Sequence, residues 1–286
     1  MKPTQVVERI EVDPESLFYH EHAARYEFAR MHVQPGLLLD LASGAGYGAN
    51  QLCRNPGTRV VGVDIHLPSV GKAQKSYPDR RISFVASDGL SLPFENHCFQ
   101  SVVSLETIEH VADDAGFLRE VVRVLNPYGL CILSTPNRAY SARHSIVNPY
   151  HVREYSESEL RELLQAFFAK VHIHYQGFAD SFYAEVNRYA TAIQTHKKTM
   201  PPLLQFAVNY IYRPVKRLVP EPLTNFFINR WLKLSYPAPH LTDITISGEP
   251  LQDTNVFVAV CQHPRDWQEP ALRARLAKPR KKRNTS

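Results

Sequence analysis

The sequence predicts an α/β fold: a doubly wound, mostly parallel sheet with a helical insertion before its last strand. Three observations predict it. Short continuous apolar runs ending in polar or acidic residues recur through the first half of the chain. Stretches of helical spacing separate them. Glycines crowd the first strand-to-helix junction, at Gly44, Gly46 and Gly48 of LLLDLASGAGYGANQLC.

Each element has its own signal. FYHEHAARYEFARMHV reads as an aromatic helix, with Tyr19, His22 and Tyr26 three and four positions apart on one face. That face either packs on the sheet edge or forms a lid over a ligand. GLLLDLA, RVVGVDI, ISFVASD, FQSVVSLE and LCILSTP suit parallel strands buried on both faces. YGANQLCRN and PSVGKAQKSY follow the first two as helices, and ADDAGFLREVVRVLN carries its apolar residues near helical spacing. Strands alternating with helices imply right-handed βαβ units. ESELRELLQAFFAKVHIHYQGF reads as a helix feeding a strand, and TNVFVAVCQ as a strand that pairs with it. Between these two strands, aromatic and basic helical pieces alternate with prolines at 201, 202, 214, 220, 222, 237 and 239.

The chain has 286 residues and a net charge of +5, enough to bury one large core. Part of the positive charge sits in the tail KPRKKRNTS, which reads as a solvated end. The four cysteines form no CxxC pair, which argues against a zinc site or a disulfide framework and fits a reducing compartment. MKPTQVVERIEVDPE lacks the apolar core of a secretory signal, and no apolar run is long enough to span a bilayer. The expected location is cytoplasmic. Peripheral membrane contact through residues 201–236 is a second expectation, since LLQFAVNYIYRPVKRLV and LTNFFINRWLKL place basic residues beside apolar stripes.

Gly44, Gly46 and Ala49 loosely satisfy a dinucleotide fingerprint, a weak signal alone. The acids sharpen it. Asp40 precedes the glycines, Asp64 closes the second strand, and Asp88 closes the third. Ligands of open α/β sheets bind beyond the carboxyl ends of the strands. Three acids there disfavour a pyrophosphate and suit a cation. S-adenosylmethionine carries an ammonium and a sulfonium and no phosphate.

These residues resemble the class I, seven-stranded S-adenosylmethionine-dependent methyltransferases, most closely their small-molecule and glycan-cluster members. LLLDLASGAGYG is similar to the first motif of that family and VVGVDI to the second-strand motif. ASDGLSLPFENHCFQSVVSLETIEHV, FLREVVRVLNPYGLCILSTPN and NPYHVREYSESELRELL resemble the later motifs in order. Ala42 departs from the family by replacing the first glycine of its loop. The resemblance implies seven strands with the last antiparallel. It divides the chain into an N-terminal helical cap (1–36), a cofactor-binding core (37–178), the insertion (179–242), the final strand (243–263) and the basic tail (264–286). It implies that Asp40 and Gly44 hold the methionine end, that Gly46 lines the approach of the donor, that Ala42 belongs to the same cofactor-binding loop, and that Asp64 takes the ribose hydroxyls. Ile65 then packs on the adenine, Asp88 reads its amino group beside Gly89 and Leu90, and Glu106 lines the sulfonium side.

The expected acceptor is a small molecule, a sugar or a lipid-linked compound, methylated on oxygen; no specific nucleic acid is expected. An oxygen acceptor must lose a proton, and histidine suits that task near neutral pH. Among His110, His144 and His151, the expected catalytic residues are His110 and His151, with Glu109 orienting a ring. Glu106, Glu109 and His110 make only a weak metal cluster, so no metal is expected. Two other readings are an NAD-linked oxidoreductase, which would lack the antiparallel last strand, and a non-catalytic protein that binds the cofactor.

Overall fold

The computed structural model describes residues 17–179, 181, 182, 184, 188, 241–251 and 253–265. The chain divides into two compact units, 1–177 with 244–286, and 178–243. Most of the expected insertion, including 201–236, lies outside the described residues, as does the basic tail beyond Arg265.

The first unit opens with helix α1 (Leu17–His32), then β1 (Gly36–Leu41), α2 (Tyr47–Leu52), β2 (Thr58–Asp64), α3 (Leu67–Ser76) and β3 (Ile82–Ala86). There follow β4 (Phe99–Leu105), a 3-10 turn (Ile108–His110), α4 (Asp114–Val124), β5 (Leu125–Pro136) and α5 (Arg138–Arg143). Helix α6 (Glu157–Phe167) runs into β6 (Phe168–Phe178), and β7 (Ile244–Ser247) and β8 (Val256–Pro264) complete the sheet. Strand order is β3-β2-β1-β4-β5-β8-β6-β7. Strands β1 to β5 pair in parallel. Strand β8 is antiparallel to both β5 and β6, as expected of the last strand.

One strand exceeds the expected seven. Strand β7, ITIS, is an edge strand whose four residues are all half-buried. It lacks the long apolar run that marks a central strand, which is why the sequence does not announce it.

The sheet is sandwiched because adjacent side chains point to opposite faces. Leu39, Val102 and Leu133 pack with Phe117 and Val121 of α4 and Leu160 and Phe167 of α6. Leu38, Val103 and Ile132 pack with Tyr26 and Ala29 of α1, Leu52 of α2 and Val70 of α3. Each such side chain contributes about 1.5–3 kcal/mol on full burial. The helix ends are set locally. Asp113 accepts from the Gly116 N–H at 2.7 Å at the start of α4. Ser156 and Glu159 form a capping box on α6.

This topology places the site. The chain winds outward from β1 to β3, then returns to the other side of β1 for β4. The switch point lies between β1 and β4, and the ligand crevice of such a sheet lies beyond the carboxyl ends of those two strands.

Candidate active site

The glycine turn joins β1 to α2 at that point. The Gly46 N–H donates to the Ser43 carbonyl at 2.9 Å, and the Ser43 N–H donates to the Val63 carbonyl at 2.8 Å. Gly44 and Gly46 have φ of +53° and +84°, in the left-handed region that glycine enters freely. Ala42 has φ +67°. The glycine usual at that place would relieve a strain of about 1–2 kcal/mol. A Cβ built at Gly44 meets nothing within 4 Å, so open space lies over the turn. At Gly46 a Cβ would strike Ala73 and Phe84 at 2.7 Å.

The three acids are not equivalent. Asp40 is fully buried, beneath α1. The Tyr26 hydroxyl donates to its Oδ1 at 3.1 Å, and its Oδ2 has no hydrogen-bond partner. Burial, helped by the nearby Asp64 charge, pushes the Asp40 carboxyl up to about 7, against the pull of the Tyr26 bond. Asp64 is half-buried. Its Oδ2 accepts from the Gly44 N–H at 2.9 Å and its Oδ1 from the His66 N–H at 2.8 Å. Asp88 is exposed, two residues past the end of β3, and accepts from the Leu90 N–H at 2.9 Å. Gly89 is half-buried, and a Cβ there would lie 3.0 Å from the Phe117 ring. Ile65 and Leu90 leave apolar surface in solvent at these strand ends, 65% and 41% exposed.

Beyond β4 the backbone turns sharply. Glu106 has φ +51° and is held there by Ser134 of β5. The Glu106 N–H donates to Ser134 Oγ at 3.1 Å, and that hydroxyl donates to Glu106 Oε1 at 2.7 Å. The turn carries the chain over the end of β5, where Thr135 Oγ1 donates to Glu109 Oε2 at 3.0 Å. Glu109 is fully buried, and its Oε1 has no hydrogen-bond partner. Burial and then the Glu106 charge raise its carboxyl well above the usual range.

The segment after α5 folds back onto this turn. The N–H groups of Val152 and Arg153 both donate to the Glu109 carbonyl, at 2.8 and 3.1 Å. His110 Nδ1 donates to the Tyr150 carbonyl at 3.0 Å. The imidazoles of His110 and His151 thereby meet edge to face, centroids 4.9 Å apart, and His110 Nε2 lies 4.0 Å from Glu109 Oε1. His151 Nδ1 faces Glu154 Oε1 at 2.8 Å, while Asn148 Nδ2 donates to its Nε2 at 3.0 Å. His144 stands apart from this group and faces Asp253 Oδ2 at 3.3 Å.

Against this geometry stand the similarities to known proteins. Residues 39–133 match the methyltransferase domain family. This stretch is similar to a methyltransferase domain, and the Rossmann-like sheet is the fold of such proteins. S-adenosylmethionine is the methyl donor named for the first of the similar proteins. Over 153 residues the chain is 33% identical to a probable S-adenosylmethionine-dependent methyltransferase of Mycolicibacterium smegmatis, covering 53% of this chain and 58% of the relative. It is 35% identical over 111 residues to the demethylmenaquinone methyltransferase of Corynebacterium kroppenstedtii, covering 37% and 46% of the two chains. The chain thus spans about half the length of these relatives. A Thermotoga maritima protein, a possible histamine N-methyltransferase, shares the fold with a TM-score of 0.53 at 14% identity, over 85% of this chain and 90% of its own.

The residues of the methyltransferase domain fit a sulfonium cofactor. Asp40 Oδ2 is buried without a well-formed hydrogen bond, the carboxyl being eased only by the Tyr26 hydroxyl and the nearby Ala49 backbone, and a cation would relieve it. The open space over Gly44 admits a ligand backbone, and Ile65 and Leu90 offer apolar surface to a planar base. The antiparallel β8, which the oxidoreductase reading lacks, is present.

Several site residues carry no signal in the sequence that would single them out. Arg25 of α1 is almost fully buried, and its Nη1 donates to Gln176 Oε1 at 3.0 Å. Its charge opposes the burial that raises Glu109. Tyr47 joins Tyr19 and Tyr26 in an aromatic group over the glycine turn, with centroids 5.7 and 5.4 Å from theirs. An aromatic directly after the glycine loop is a signal that could have found Tyr47; nothing local points to Arg25, Thr135 or Glu154.

Proposed function

We propose that the protein transfers the methyl group of S-adenosylmethionine to an oxygen of a small-molecule, sugar or lipid-linked acceptor. The observation that carries the oxygen assignment is the meeting of Glu109, His110 and His151 above the ends of β4 and β5. An amine acceptor that arrives neutral needs no such group, whereas a hydroxyl must shed a proton as it attacks.

The cofactor residues take these roles. Asp40, Ala42 and Gly44 receive the methionine end, and Gly46 keeps the approach to α2 open. Asp64 accepts from the ribose hydroxyls with lone pairs left by its two backbone donors. Ile65 and Leu90 sandwich the adenine, and Asp88 accepts from its amino group beside Gly89. Glu106 offers its carboxylate to the sulfonium. Displacement at the methyl carbon is in line, with the C–S electron pair staying on sulfur. The protein mainly positions the acceptor, and the histidine cluster draws off its proton. The names of the similar proteins include a demethylmenaquinone methyltransferase, which supports a small-molecule acceptor of quinone type. Peripheral membrane contact through residues 201–236 would suit such an acceptor. No described helix is long and apolar enough to cross a membrane.

The test has two arms. Calorimetry with S-adenosylmethionine, S-adenosylhomocysteine and NAD should show binding of the first two and not the third. Release of S-adenosylhomocysteine is then followed against hydroquinones, free sugars and lipid-linked sugars. Binding of NAD in preference to the methyl donor would overturn the assignment, and turnover confined to amines would overturn the oxygen acceptor.

A further inference from the structure

Glu109, His110 and His151 each offer a ligand atom, and these atoms lie within 4.8 Å of one another. We propose that this cluster binds a divalent first-row transition ion. Two further observations support it. Glu109 Oε1 is a buried carboxylate oxygen without a hydrogen-bond partner, aimed toward His110 Nε2 at 4.0 Å. Leaving such an acceptor unpaired is unfavourable, and an ion between the two atoms would satisfy it. Both imidazoles, moreover, have Nδ1 held by an oxygen acceptor, the Tyr150 carbonyl for His110 and Glu154 Oε1 for His151. A carbonyl or carboxylate behind the far ring nitrogen is the usual support of a metal-bound histidine. It fixes the tautomer whose free lone pair is on Nε2.

Without an ion, the Asn148 amide donates to His151 Nε2; a cation displaces that amide. Two imidazoles and one carboxylate suit zinc, cobalt, nickel, iron or manganese better than magnesium or calcium, which prefer oxygen ligands throughout. Three protein ligands leave positions open for water or for an acceptor oxygen.

This inference deepens the proposed function and rests on the acceptor oxygen reaching the cluster. With an ion bound, His110 and His151 would serve as its ligands, and coordination would ease the proton loss from the hydroxyl, taking the place of the imidazole in the step proposed above. The O–H bond breaks with its proton passing to water, the oxygen pair attacks the methyl carbon, and the C–S pair remains on sulfur.

The experiment uses the full chain stripped with a chelator. Cobalt(II) is titrated and its visible absorption followed, and zinc binding is measured by calorimetry. One equivalent should bind, with affinity lowered at least tenfold in His110→Ala, His151→Ala and Glu109→Gln. Glu154→Gln, which leaves every ligand in place, should weaken binding about 10- to 100-fold. S-adenosylmethionine binding by each variant reports that the fold is intact. Substoichiometric cobalt binding, or equal binding by the wild type and the two histidine variants, overturns the metal site. If that happens while S-adenosylmethionine still binds, the metal inference alone is lost. Failure of the wild type to bind S-adenosylmethionine would instead sink the functional reading.

Discussion

The hydroxyl of Tyr26, on the N-terminal helix, donates at 3.1 Å to Oδ1 of Asp40 near the end of the first strand. The helix therefore covers Asp40 at the switch point of the sheet and helps to bury its carboxyl. Asp40 has one oxygen satisfied by Tyr26 and the other unpartnered, and its carboxyl titrates at about 7.

That value makes stability depend on pH. The folded pKa of Asp40 lies above the unfolded one, so the folded chain binds the proton more tightly. The contribution is full below about pH 4 and is lost as pH rises through 7, to a total of about 4 kcal/mol. Asp40→Asn should flatten the profile of denaturant midpoint against pH across this window. A cationic cofactor prefers the ionised acid, so affinity for S-adenosylmethionine should climb as pH passes 7 in the wild type and not in the variant. Superimposable profiles would show that Asp40 is not the titrating group.

Gly48 tests the same packing from the other side. A Cβ there would lie 2.0 Å from the Tyr26 ring. Although alanine is the better helix former by about 1 kcal/mol, Gly48→Ala should destabilise by about 1–3 kcal/mol through overpacking. Chemical denaturation measures it. An unchanged or higher midpoint would mean that α1 does not rest on the glycine turn.

Asp64 holds the turn as well as facing the crevice. Asp64→Ala removes the acceptor of the Gly44 and His66 N–H groups together with the proposed ribose contact. Binding of S-adenosylhomocysteine, which lacks the sulfonium charge, should weaken by at least about 1.5–3 kcal/mol. Calorimetry gives the number directly; full affinity in the variant would remove the ribose assignment.

His110→Ala and His151→Ala should each lower turnover on an oxygen acceptor by about 10²-fold or more, with cofactor binding retained. His144→Ala should leave turnover near the wild-type rate, because His144 faces Asp253 and not the cluster. Normal turnover in both cluster variants would move proton removal elsewhere.

For residues 201–236, the expected outcome is co-sedimentation with anionic vesicles and weak association with neutral ones, each well-placed basic residue adding about 1 kcal/mol. Replacing the segment by a short linker should abolish pelleting. If neither protein pellets with anionic lipid, the interfacial role is excluded.

The parallel-sheet core was legible because its signals are local. A buried parallel strand is a continuous apolar run, and the residues at its carboxyl end lie next to it in sequence. Asp40, Asp64, Asp88 and the glycines could therefore be placed from their neighbours alone. His110 and His151 were legible as residue types on the right side of the sheet. Their meeting was not, because it depends on two backbone bonds to the Glu109 carbonyl that draw the segment after α5 back over β5.

What the sequence determined by itself was the order of the long strands and helices, the glycine turn and the set of candidate side chains, since each depends on periodicity and spacing within a few residues. The tertiary structure decided the state of those side chains. It buried Asp40 under Tyr26, left one oxygen of Glu109 unpaired beside His110, added β7 at the sheet edge and excluded His144 from the cluster. Burial and pairing arise from elements far apart in the chain, and the free energy of a charge depends on what surrounds it in space rather than on what precedes it in sequence.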